Sequence, residues 1–155
     1  VGVSDASRLA DVAGVFQTRG ATALVYRGAD GIDKLTTTGE SMVLEVSSGQ
    51  IREHTVNSGD LGLATAQTSD LLGESPQHNA ELARGVLAGH AGAVRDIVVL
   101  NAAAGMVAFS LAQEPTEASR SIHERLAEKI ATAQEAIDSG AAAAKLDAWA
   151  ASTHR

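Results

Sequence analysis

The stretch Ala93 to Leu111 is apolar almost all round, and no other segment constrains the fold as tightly. A helix without a polar face has to be enclosed by its neighbours, so the chain must build layers around it. One residue breaks the rule. Asn101 lies four positions after Ile97 and three after Val98, so it points where the apolar face points. A buried amide must find partners for both its oxygen and its nitrogen or cost about 1–3 kcal/mol. Two readings are open, a substrate contact or a strut that bonds the backbone of a neighbouring loop. The strut is preferred.

The segments around this helix read as α/β at the start and helical at the end. Val1 to Val3 has the pattern of a strand tail, and the chain opens without an initiator Met, as expected for the C-terminal part of something longer. Ser4 or Asp5 can cap a helix whose Leu9, Val12, Ala13 and Phe16 share one face, with Gly20 at its stop. Ala21 to Tyr26 is a short, nearly continuous apolar run, the mark of a strand buried on both faces in a parallel sheet. Strand, helix and strand make one right-handed βαβ step. After a Gly/Asp-rich loop (Gly28 to Asp33) and a Thr-rich extended stretch (Thr36 to Thr38), Ser41 to Val46 and Ile51 to Val56 flank Ser47-Ser48-Gly49-Gln50 as a hairpin. Asn57 to Gly73 gives no clear signal. Ser75-Pro76 starts a helix to about Ala88 that buries Leu82, Ala83 and Val86. Thr116 to Ser139 is amphipathic, with Ile122, Leu126, Ile130, Ala133 and Ile137 in one stripe, and an Ala-rich last helix buries Leu146 and Trp149. The expected fold class is α/β: part of a central, largely parallel sheet flanked by helices, with a β-hairpin and a helical C-terminal half.

Composition removes several functions. The chain has no Cys, which excludes disulfides, thiolate metal sites and cysteine nucleophiles and fits a reducing, cytoplasmic compartment. A net charge of −7 argues against nucleic acid, which needs clustered Lys and Arg. No uninterrupted apolar run approaches the roughly 20 residues of a membrane span, and no secretory leader opens the chain. The histidines (His54, His78, His90, His123, His154) are scattered, and no HExxH, GxSxG, GxGxxG or phosphate-loop motif occurs. Solvated or capping roles suit them best.

The strongest functional candidate is the acidic loop Asp30-Gly31-Ile32-Asp33, directly after the apolar strand. Ligands of open α/β sheets gather outside the C-terminal ends of strands. A carboxylate there can hold Mg²⁺, which takes oxygen ligands and keeps waters and substrate phosphates in its shell. Asp-Gly is also a common turn pair, so the residues alone leave a ligand site and a plain turn both open.

Ala23-Leu24-Val25-Tyr26-Arg27-Gly28-Ala29-Asp30-Gly31-Ile32-Asp33 resembles the strand and loop of the anthranilate phosphoribosyltransferases. Val1 to Asp5, Asn79-Ala80, Val94-Arg95-Asp96-Ile97, Leu100-Asn101-Ala102-Ala103 and Ala136-Ile137-Asp138-Ser139-Gly140-Ala141-Ala142 resemble further blocks of that family in the same order. The resemblance implies a nucleoside phosphorylase/phosphoribosyltransferase-like fold, with residues 1–155 forming the C-terminal part of the larger α/β domain. It also implies a cytoplasmic, Mg²⁺-dependent homodimer of the tryptophan pathway. Such an enzyme moves phosphoribose from phosphoribosyl pyrophosphate to the amino group of anthranilate. The family's helical domain, its Gly-Thr-Gly-Gly-Asp pyrophosphate loop, its Lys-His-Gly-Asn segment and its anthranilate-contacting Arg would lie upstream of Val1. No catalytic residue is expected in this chain, and the isolated chain should be inactive.

Displacing pyrophosphate from C1 of ribose needs no protein nucleophile, so positioning and charge neutralisation suffice. By resemblance Asp33 helps hold the metal. The family's neighbouring Glu is Lys34 here, and a protonated amine has no lone pair to ligate Mg²⁺. Lys34 is instead a candidate contact for pyrophosphate, and a weakened Mg²⁺ dependence is expected. Two alternatives stay open: a non-catalytic relative that keeps the fold as a binding module, and a pyrimidine-nucleoside phosphorylase-like enzyme.

Overall fold

The computed structural model describes residues 1–153. Asp5 accepts a hydrogen bond from the Ser7 amide at the start of a short 3₁₀ turn that leads into α1 (Leu9–Thr18). The strands are β1 (Ala23–Gly28), β2 (Glu40–Ser47) and β3 (Gln50–Asn57). Four helices follow: α2 (Pro76–Leu87), α3 (Ala93–Gln113), α4 (Ile122–Asp138) and α5 (Ala141–Thr153).

The hairpin forms where expected, with Ser47 paired to Gln50. Its two turn residues, Ser48 and Gly49, have φ of 50° and 74°, the left-handed pair that matches strand twist in a two-residue turn.

The expectation of a largely parallel sheet is corrected. The three strands run in the order β1-β2-β3 and both pairings are antiparallel. The reason lies in the connections. Between β1 and β2 the chain makes a loop and folds straight back, with no helix to carry it across, so β2 must return antiparallel. A helical crossover, α1, precedes β1, and there the parallel pairing does appear. Gly2 bridges Tyr26 in parallel register, with Val3 N–H on Tyr26 O and Tyr26 N–H on Val1 O, each at 3.0 Å.

Alternation along the strands splits the sheet's residues between two layers. Ala23, Val25, Leu44 and Val46 pack with Val3, Leu9 and Ala13 on the α1 side. Leu24, Val43 and Val56 face the larger core formed with α3 and α4, where Leu100, Ala103, Val107, Leu126 and Ile130 meet. All five stripe residues expected on α4 are buried, and the helix opens on a reciprocal cap between Ser121 and Glu124.

Helix α3 is by length and composition apolar enough to cross a membrane. Here Ile97, Val99, Leu100, Ala103, Ala104, Val107 and Leu111 are instead buried within the fold. Its enclosure is incomplete, because Val98 and Phe109 are 43% and 68% exposed. Helix α2 does not seal onto it. A pocket of about 400 Å³ separates them, lined by Leu72, Leu82, Ala83, Val86 and Val98 among others. Of the expected buried trio on α2 only Val86 is therefore buried. The last helix also departs from expectation. Leu146 and Trp149 are 39% and 67% exposed, because α5 touches the body at its first turns, where Ala142 packs on the core.

The α4 stripe also holds a hidden charge. Arg125 is 3% exposed and its Nη2 donates to Glu45 Oε2 at 2.5 Å, Glu45 being 1% exposed on β2. The pair ties the sheet to α4. His54 on β3 stands 3.6 Å from Glu45, too far for a hydrogen bond, and burial pushes its imidazole pKa down, against the pull of the Glu45 charge. Removing one partner of such a pair strands the other charge and costs about 3–5 kcal/mol, whereas replacing both with apolar groups is far milder. Urea denaturation should therefore show Glu45→Ala much less stable than the double variant Glu45→Leu/Arg125→Met. Equal losses in the two would refute the pairing as the cause.

Candidate active-site loop

The candidate site is the loop that leaves the C-terminal end of β1 and returns at Glu40. Its first turn is tied back to the sheet. Gly28 N–H bonds Ile32 O at 3.0 Å, Gly31 N–H bonds Gly28 O at 3.0 Å, and Ala29 N–H bonds Glu40 O at 2.9 Å.

The two aspartates of the motif have different work. Asp30 is spent inside the loop. Its Oδ2 accepts from the hydroxyls of Thr36 and Thr38 at 2.7 and 2.8 Å, and its Oδ1 accepts from the Ile32 amide at 3.2 Å. Burial alone would raise the Asp30 pKa, but the Thr36, Thr38 and Ile32 donors outweigh it and hold the carboxyl below its ordinary value. Where an extended stretch is expected, Thr37 and Thr38 are bends, and the Thr36 and Thr38 hydroxyls turn onto Asp30.

Asp33 faces outward. Its Oδ1 accepts from Lys34 Nζ at 2.6 Å, with both side chains about half exposed. That hydrogen bond, with the charge behind it, lowers the Asp33 pKa. The pair leaves Oδ2 outside it. An exposed pair between chain neighbours adds little to stability, so its interest is chemical: one carboxylate oxygen and one ammonium are presented side by side.

Three contacts set this tip from outside the loop's own turns. Asn101 on α3 receives the Leu35 N–H on Oδ1 at 3.0 Å and returns Nδ2 to Leu35 O at 2.9 Å, with Ile97 O a further acceptor at 2.9 Å. The strut reading of Asn101 is the geometry found. Thr37 O accepts the Ala66 amide at 3.0 Å. Gly2 lies directly under Asp33, where a Cβ would come within 1.6 Å of the Asp33 carbonyl oxygen. Sequence reasoning misses Gly2, since nothing local marks a glycine whose absent side chain makes room for a residue far along the chain.

A metal ion is tested on the donors. Among the described residues no group of three or more His, Cys, Asp or Glu comes together as a ligand set. This chain offers Asp33 alone at the tip, because both Asp30 oxygens are engaged and Lys34 has no lone pair. One carboxylate suits Mg²⁺, which commonly takes one or two from a protein and fills its octahedron with water and phosphate oxygens. The nearby pocket, about 290 Å³ and lined by Arg27, Gly28, Ala29 and Glu40 among others, opens at the loop's base and does not reach Asp33. Among the described residues the histidines build no ligand set of three: His78 and His90 line a pocket on the α2 side, His54 faces Glu45 with His123 near enough to act on its charge, and His154 lies outside the described residues.

The outward Asp33–Lys34 tip at the end of β1 is the candidate ligand loop of this α/β domain. Residues 1–143 match the glycosyl transferase family, a/b domain, and the chain belongs to that family. It is 56% identical over 153 residues to the anthranilate phosphoribosyltransferase of Leifsonia xyli subsp. xyli and 44% identical over 155 residues to that of Nocardioides sp.. These alignments cover 99% and 100% of this chain but 44% of each relative, so the chain spans less than half the length of the relatives it matches. Among solved structures, anthranilate phosphoribosyltransferase from Thermus thermophilus superposes with a TM-score of 0.79 at 34% identity, over 97% of this chain and 41% of that one. The Saccharomyces cerevisiae enzyme in complex with PRPP and Mg shares the fold at 22% identity and a TM-score of 0.77, over 94% of this chain and 40% of that one. The resemblance read from the sequence blocks is therefore borne out along nearly the whole chain.

The Asp30 hydrogen bonds carry a pH signature. A carboxyl held below its unfolded value adds stability that is complete above about pH 4 and disappears as pH falls through the lowered value. Replacing Asp30 with Asn should cost about 1 kcal/mol at neutral pH and flatten the stability profile below pH ~4. An unchanged acid limb in Asp30→Asn would contradict the assignment.

Proposed function

We propose that residues 1–155 form the C-terminal part of the α/β domain of an anthranilate phosphoribosyltransferase. The complete protein would transfer phosphoribose from phosphoribosyl pyrophosphate to the amino group of anthranilate, as a cytoplasmic homodimer in tryptophan biosynthesis. The observation that carries the reading is the Asp33–Lys34 tip, anchored on both sides and presented outside the end of β1. It is supported by relatives that match almost all of this chain and are anthranilate phosphoribosyltransferases.

The reaction asks little covalent chemistry of the protein. Attack of the amine on C1 of ribose expels pyrophosphate, and the barrier falls when the two reactants are held in line and the growing negative charge is met by fixed positive groups. Asp33 would hold Mg²⁺ through one carboxylate oxygen, and a bound Mg²⁺ would neutralise charge on the departing pyrophosphate. Lys34 would supply a second positive charge beside it, standing where the family places an acidic ligand. Its Nζ is already at the tip, 2.6 Å from Asp33, and needs only to turn from that oxygen to a phosphate. The rest of the pocket, including the contacts to anthranilate, would come from the portion of the longer protein that this chain lacks.

Two results are expected of the complete protein. Asp33→Asn should lower kcat/KM for phosphoribosyl pyrophosphate by at least about tenfold, equivalent to ~1.4 kcal/mol. Lys34→Glu should steepen the dependence of activity on Mg²⁺, because it adds a second carboxylate to the tip and removes the ammonium that shares the metal's work. An identical Mg²⁺ requirement in parent and Lys34→Glu would sink the role given to Lys34. Residues 1–155 alone should form no phosphoribosyl anthranilate; product from this chain would place the active site wrongly.

A further inference from the structure

We propose that Gly2 and Asn101 are positioning residues for the Asp33–Lys34 tip, acting on it from beneath and from the side without presenting a group to substrate. The inference rests on the reading of the tip as the diphosphate and metal contact of a phosphoribosyltransferase.

The geometry is that of a vice. On one side, Asn101 engages both backbone groups of Leu35, as a neighbouring strand would. Leu35 is itself 1% exposed and sits in the main core, so its backbone and its side chain are both fixed. Lys34 precedes it directly, on the outward side. From beneath, Gly2 meets the Asp33 carbonyl so closely that a methyl group would overlap it, at 1.6 Å from the oxygen and 2.4 Å from the carbon. Gly2 is in turn held by the parallel bridge to Tyr26, and its φ is not in the left-handed region. Alanine is therefore acceptable there to the local backbone, and its cost falls on Asp33. Outer-shell partners that orient a metal ligand typically change affinity or activity by roughly tenfold or more when removed, although they touch neither metal nor substrate.

The experiment uses the complete protein and measures binding of phosphoribosyl pyrophosphate by calorimetry, with and without Mg²⁺, beside steady-state kinetics and thermal unfolding. Gly2→Ala and Asn101→Ala are each expected to weaken phosphoribosyl pyrophosphate roughly tenfold, chiefly in the presence of Mg²⁺, while KM for anthranilate stays near its parent value. Gly14→Ala, where a Cβ meets nothing within 4 Å, controls for glycine replacement as such and should bind like the parent. A fall in thermal stability with unchanged phosphoribosyl pyrophosphate affinity would make both residues merely structural and overturn the inference. If Asn101→Ala does not fold, Gly2→Ala decides alone. Asp33→Asn separates this inference from the reading beneath it. If Asp33→Asn loses affinity and Gly2→Ala does not, positioning is wrong and the site stands. If Asp33→Asn also binds normally, the site itself is misplaced.

Discussion

Leu35 drives the arrangement of the whole loop. Its side chain is drawn into the core between the sheet and α3, and its backbone amide and carbonyl go with it. Buried backbone groups must be paired, yet among the described residues no strand runs beside this one to pair them. A single carboxamide has one acceptor and two donor hydrogens, enough to satisfy an N–H and a C=O together. Asn101 is that carboxamide, with its second donor hydrogen turned back onto Ile97 O. A polar residue in the middle of the most apolar helix is thus the consequence of burying a loop residue at its flank. The outward direction of Asp33 and Lys34 follows from where Leu35 and Asp30 are pinned.

Much of this is legible in the sequence, for identifiable reasons. The Ser-Gly turn between two strand-like runs places the hairpin, and the period-3.6 stripe places α4, which has one face packed and one face wet. The Ser75 cap marks where α2 begins, whereas α4 starts at Ile122 behind the Ser121 cap and not at the expected Thr116, which lies in a separate 3₁₀ turn. Asn101 stands out because a lone amide on an apolar face has to be answered by something. Sequence reading fails where the outcome depends on distant partners. Sheet direction is misread because a continuous apolar strand looks parallel, whereas β1 and β2 gain cover on both faces from α1 on one side and α3 with α4 on the other. Leu146, Trp149 and Ala83 show that apolar residues at helical spacing need a facing surface before they are buried. The Glu45–Arg125 pair is invisible because nothing local names either charge's partner and only the fold brings the two together.

The candidate site divides in the same way. The acidic loop is picked out as a candidate by its place after an apolar strand. Which aspartate is structural is not legible, because Asp30 and Asp33 are chemically equivalent until Thr36 and Thr38 fold back onto one of them. Lys34 is the most informative single residue. The resemblance leads one to expect an acidic side chain there, and the structure instead presents an ammonium 2.6 Å from Asp33.

What matters most is whether the tip is anchored through the backbone of Leu35 before any ligand arrives. Hydrogen exchange at the Leu35 amide, followed residue by residue in the unliganded protein, measures that anchor directly. Protection comparable to the interior amides of α3 is predicted, since both should open only with the core. Exchange at the rate of an exposed loop, such as the Ser48–Gly49 turn, would contradict it.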